Sequence, residues 1–113
     1  MKYDNTLEIQ RLEQLASQHL MGIDFTGKVV FLSDQIERRL DVTSWHVDDS
    51  EWKIFNDKNF KIHLIELLDS LIMHRANQGV TESLSGVVTV DKQTLNIEWL
   101  STAEAEKQRQ SAA

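Results

Sequence analysis

The sequence predicts a mixed α+β fold, and three stretches carry that expectation: a long helical periodicity over 57–78, a shorter one over 5–21, and two strand-like runs around a polar turn over 85–100. Apolar residues recurring every three or four positions mark one face of a helix, whereas alternation marks a strand with one buried side. Together they describe two main helices packed on a small antiparallel sheet that includes a C-terminal β-hairpin. With 113 residues, 41% of them hydrophobic, the chain fits one core, since a domain typically takes about 100–150 residues. The expected limits are a single globular unit over 1–102 and a polar C-terminal tail over 103–113.

The first helix is read from Asn5 and Glu8 at capping-box spacing, from Leu12, Leu15, Ala16 and Leu20 on one face, and from Gly22 as a terminator. The run GKVVFL over 27–32 is dense in β-branched and aromatic residues and predicts a short buried strand. A single helix through Val29, Leu32, Ile36 and Leu40 is the rival reading. Strand followed by a short helix over 34–40 is preferred, because Ser33 or Asp34 can cap a new helix and Glu37 stands three residues beyond Asp34. The segment 41–56 has two aromatic and β-branched runs around Asp48, Asp49 and Ser50, which predicts a hairpin or an extended loop.

Phe60, Leu64, Leu67, Leu68 and Leu71 make 57–78 the central helix, with Asp57 or Asn59 able to cap its start and Asn77 and Gly79 able to stop it. Its broad apolar surface, widened by Ile62, Ile65 and Ile72, calls for cover from both the first helix and a sheet. In the hairpin, Leu95, Ile97 and Trp99 share one face and Asn96 and Glu98 the other. Beyond Ser101 the stretch TAEAEKQRQSAA has no large apolar side chain, so a solvated helical extension or a disordered tail is expected.

Composition narrows the chemistry. The absence of cysteine excludes disulfides, thiolate metal sites, iron–sulfur clusters and cysteine nucleophiles. The start MKYDNTLEIQ lacks a signal-peptide apolar stretch and no run approaches the roughly 18 residues that span a bilayer, so the expectation is a soluble, cytoplasmic protein without a membrane partner. A formal net charge of −6 opposes nucleic-acid phosphates, and the one basic dipeptide, Arg38-Arg39, sits among Asp34, Glu37 and Asp41. No nucleic-acid partner is expected.

The histidines His19, His46, His63 and His74 form no HExxH; His63 and Glu66 share a helical face, but a di-metal carboxylate site would need a second such pair. There is no G-x-S-x-G elbow, no S-x-x-K context around a credible pocket and no phosphate-binding glycine pattern among Gly22, Gly27, Gly79 and Gly86. The expectation is a protein that is not an enzyme and takes no metal or cofactor.

What stands out is the run Trp45-His46-Val47-Asp48-Asp49-Ser50-Glu51-Trp52, two tryptophans around three acids. Residues 33–57 hold seven acids against three bases, a net of −4 within the total of −6. Tryptophan suits an interface anchor and clustered carboxylates steer and clamp a basic partner. Trp45, His46, Asp48, Asp49, Glu51 and Trp52 are therefore the candidate partner-binding residues, although the same pattern arises when both rings fill the core and the acids solvate a turn. In size, charge and lack of catalytic motifs the chain resembles the immunity proteins paired with nuclease toxins. That resemblance implies a small acidic inhibitor that neutralises a basic toxin domain, in the manner of bacterial immunity proteins or antitoxins. The alternatives are a phage or bacterial adaptor or chaperone that self-associates, marked by a long exposed apolar stripe, and a small enzyme or ligand-binding domain, marked by a concave pocket near His46 or His63.

Overall fold

A computed structural model describes residues 6–21, 26–34, 36–47, 53 and 59–111, the last without its side chain. Along these residues run α1 (Thr6–His19), β1 (Thr26–Asp34), β2 (Arg39–His46), α2 (Phe60–Asn77), β3 (Ser85–Asp91), β4 (Thr94–Leu100) and α3 (Thr102–Ser111). The strands form one antiparallel sheet in the order β2-β1-β3-β4, so β2 and β4 are its edges. This is the α+β class that the helical and alternating periods predict.

Alternation along β1 sorts its side chains onto two faces. Val29 and Phe31 join Leu12, Leu15, Phe60, Leu64 and Leu68 in the main core, under α1 and α2. Val30 and Leu32 point the other way, to Val87, Leu100 and Ala105. The continuous apolar run in β1 is thus explained by burial on both sides.

α2 ends as its sequence predicts: Gly79 takes φ +88, its amide donates to the Ala76 carbonyl at 3.1 Å, and the Val80 amide donates to the Arg75 carbonyl at 3.0 Å. That pair of bonds is a Schellman stop, which glycine makes without steric cost. At its start Asn59 stands in the cap position but with φ 57 and no side-chain capping bond. Asp57, Asn5 and Gly22, read as caps or terminators, lie outside the described residues.

Two expectations are corrected. The short helix over 34–40 is a turn: β1 runs on through Ser33 and Asp34, and the chain returns as β2 from Arg39. The capping chemistry is real but confined to one turn, with the Asp34 carboxylate accepting the amides of Ile36 at 2.8 Å and Glu37 at 2.9 Å. Pairing of 39–46 with β1 satisfies a whole row of backbone groups, which a one-turn helix cannot match. For the same reason the first run of the expected 41–56 hairpin pairs with β1; its second run lies outside the described residues apart from Lys53.

The second correction concerns the C-terminus. Residues 102–111 are helical, as one of the two expectations had it, but α3 is docked on the sheet, with Ala105 fully buried against Val30 and Val87. Ser101 caps the helix by accepting the Glu104 amide at 3.2 Å, and Thr102 meets Ser85 Oγ at 3.0 Å, which in turn lies 3.2 Å from Ser33 Oγ. Truncation after Ser101 should expose Val30 and Val87 and lower stability by about 1–3 kcal/mol. A melting temperature unchanged within a degree would show that α3 contributes nothing.

An ion pair ties β2 to α2. Asp69 accepts from Arg39 Nη2 at 2.6 Å and from the Leu40 amide at 3.0 Å. The Arg39 guanidinium, helped by that amide, holds the Asp69 carboxyl below its ordinary value against the opposing effect of burial. A lowered folded-state value means stability that is present above the unfolded carboxylate range and lost as pH falls through the folded value. Asp69→Asn should therefore cost about 1 kcal/mol or less at pH 7, because the pair is partly exposed and screened, and should flatten the acid limb of a urea-midpoint profile below about pH 4. An unchanged acid limb would mean that the pair does not form in solution.

Candidate binding surfaces

β2 carries the first two of the sequence-named site residues to a sheet edge, on opposite faces. Trp45 stands opposite Val29 and turns inward, half-buried, with its ring edge-on to Phe60 at 6.2 Å and its Nε1 donating to Thr43 Oγ1 at 3.2 Å. It therefore packs on the core while leaving part of its ring accessible. His46, opposite Lys28, points to the far face, and its Nε2 is buried without a hydrogen-bond partner among the described residues. Asp48, Asp49, Glu51 and Trp52 lie outside the described residues.

A second constellation was not read from the sequence. Glu8, 3% exposed, sits one turn below Leu12 on the buried face of α1, and both of its carboxylate oxygens have distant partners: Arg75 Nη1 at 3.0 Å and Trp99 Nε1 at 3.0 Å. Arg75 also donates to Ser83 Oγ at 3.2 Å, and its guanidinium carbon lies 4.2 Å from the centre of the Trp99 ring. Buried charges are tolerated only when paired and hydrogen-bonded like this. The signal was present: Glu8 continues the stripe of Leu12 and Leu15, and Arg75 continues that of Leu68 and Leu71, at steps of three and four. A charged residue on an apolar stripe points to a buried partner, but not to which one.

Beside this network a furrow of about 420 Å³ opens between α1 and β4, floored by Leu95, Ile97 and Trp99 and walled by Ile9 and Glu13. A neighbouring hollow of about 380 Å³, reaching Ser17 and Met21, shares Glu13, Leu95 and Asn96 with it, so the two form one channel along the edge strand. Its walls include two of the exposed large apolar side chains, Ile9 at 48% and Met21 at 65%.

The histidines of α1 and α2 meet at the far side of the helix pair. The rings of His19 and His63 are 4.5 Å apart, and His63 Nδ1 donates to the Asn59 carbonyl at 2.8 Å. His63 thus takes the hydrogen-bonded position on the helix flank. Among the described residues no three histidine, aspartate or glutamate side chains converge to hold a metal ion, and no helix is long and apolar enough to cross a membrane. Comparison with known proteins finds no family model, no curated protein and no solved structure that matches this chain.

Proposed function

We propose that this chain is a protein-binding module that neutralises a basic protein partner, as an immunity protein or antitoxin-type inhibitor of a nuclease-like toxin. The observation that carries the reading is the charge: −6 in all, with a net of −4 in residues 33–57. Within that stretch Glu37 and Asp41 are exposed on the turn and strand at one sheet edge, and Asp48, Asp49 and Glu51 follow directly after β2. Carboxylates concentrated in one stretch of the chain steer a cationic partner during encounter, and a tryptophan that packs on the core while part of its ring stays accessible is a low-entropy anchor for the complex that forms. Inhibition then follows from coverage of a basic active site that would otherwise hold phosphates.

Co-expression with the products of the neighbouring reading frames tests this. One of them should arrest growth alone, be relieved by this chain, and co-purify with it. Replacing Asp48, Asp49 and Glu51 by their amides should then slow association and flatten its salt dependence while the circular dichroism spectrum stays unchanged. If no neighbouring product is toxic, or the triple amide variant associates as fast as the parent at low salt, the reading is wrong. The self-associating adaptor has less support: Ile62 (57% exposed) and Met73 (41%) both lie on the outer face of α2, but exposed Glu66 and Ser70 interrupt the stripe between them.

A further inference from the structure

We propose that β4 accepts an extended, basic segment of a partner protein as a fifth strand of the sheet. The proposal rests on the reading of a basic partner given above and assigns it a site away from the acidic segment.

The sheet's two edges are unlike. β2 is irregular, with a register shift opposite Leu32 and Ser33, and it shows exposed Arg39 and Asp41. Bulges and charges of this kind discourage pairing. β4 has an unbroken register with β3 from Thr94 to Leu100 and no charge on its inner face. A regular, apolar edge is a template for another strand.

The backbone groups at that edge can be assigned. Asp91 and Thr94 close a two-residue turn, with Lys92 at φ 56 as a tight hairpin turn requires. The pair that closes such a turn exchanges both hydrogen bonds, and bonded and non-bonded pairs alternate from there. Asn96, Glu98 and Leu100 therefore bond to β3, while Leu95, Ile97 and Trp99 aim their amides and carbonyls outward. Among the described residues no strand pairs with them.

The channel beside the edge selects the occupant. An added strand would place alternate side chains over the furrow against Ile9 and Met21, where apolar groups fit. Its other side chains would come near Glu98 on the outer face of β4, which is exposed and in no ion pair among the described residues. Arg75, the cation that lines the furrow, is already held by Glu8. An uncompensated acid on one face of the edge and an apolar slot on the other favour a strand that alternates basic and apolar residues. The same acid disfavours a second copy of this chain, which would bring a second Glu98 to that edge.

The test uses a fluorescein-labelled nonapeptide of alternating lysine and valine, its glutamate–valine counterpart, and a lysine–valine version with a central proline. The basic peptide should bind saturably and protect the amides of Leu95, Ile97 and Trp99 from hydrogen exchange. The other two should not. The variant Glu98→Gln, altered only at an exposed position, should bind it about threefold more weakly, as loss of a cross-strand charge pair implies. Absence of saturable binding, equal binding of the proline peptide, or protection away from β4 would overturn the proposal. So would concentration-dependent protection of β4 without peptide, which would make the occupant a second copy. A neutralised toxin whose complex leaves β4 amides unprotected would remove this site and keep the function; peptide binding with no toxic neighbour would keep the site and remove the toxin.

Discussion

Replacing Arg75 with methionine should lower folding stability by about 3–5 kcal/mol, because it leaves the Glu8 carboxylate buried without its counter-charge. The two side chains are 10% and 4% exposed, so both are largely shielded from water. The cost comes mainly from the orphaned charge and less from the lost attraction, and a double variant separates the two. Glu8→Gln keeps an acceptor for Trp99 Nε1 and removes the charge, so Glu8→Gln with Arg75→Met should be more stable than Arg75→Met alone. Urea denaturation of the three variants measures this. A loss below about 1 kcal/mol for Arg75→Met would mean that water already reaches Glu8, the range expected of a solvated pair.

Phe31→Ala should cost a similar amount, about 3–5 kcal/mol, as emptying a packed aromatic site does. Phe31 is fully buried, meets Trp99 edge-on at 5.4 Å, and its ring tip would lie 3.2 Å from a Cβ placed at Gly86. The glycine makes room for the ring, and a methyl there would also come within 2.1 Å of the Glu98 carbonyl oxygen. The cavity in Phe31→Ala therefore has rigid backbone on one side and cannot collapse fully. Leu68→Ala belongs to the same class at about 2–5 kcal/mol, whereas Leu67→Ala should cost less. The sequence treats the two leucines alike, but Leu68 is fully buried and Leu67 is only partly so. Thermal melts of Leu67→Ala and Leu68→Ala with the same midpoint would contradict this packing.

For function, the charge excess was legible in residues 33–57 because formal charge needs no geometry, and Trp45 and His46 were legible as a cluster because they are neighbours in the chain. Their opposite orientations were not. Which face each takes depends on the pairing of β2 with β1 and on the register shift at Leu32, and a slip of one residue would exchange them. The channel at β4 was hidden for a related reason: its walls come from residues about 85 positions apart, Ile9 with Leu95 and Glu13 with Asn96, which only the docking of α1 brings together.

By itself the sequence determined the α+β class, α1, α2, the β3–β4 hairpin and the glycine stop of α2, since each depends on periodicities and turn preferences that act within a few residues. Tertiary structure decided the rest. It ran β1 through Asp34 and began β2 at Arg39 where local caps favoured a helix over 34–40, docked α3 through one alanine, and joined Glu8 to Arg75 across 67 positions of sequence separation. In each case the deciding energy is burial or pairing between distant segments, which outweighs local preferences worth less than about 1 kcal/mol per residue and leaves no local signature in the chain.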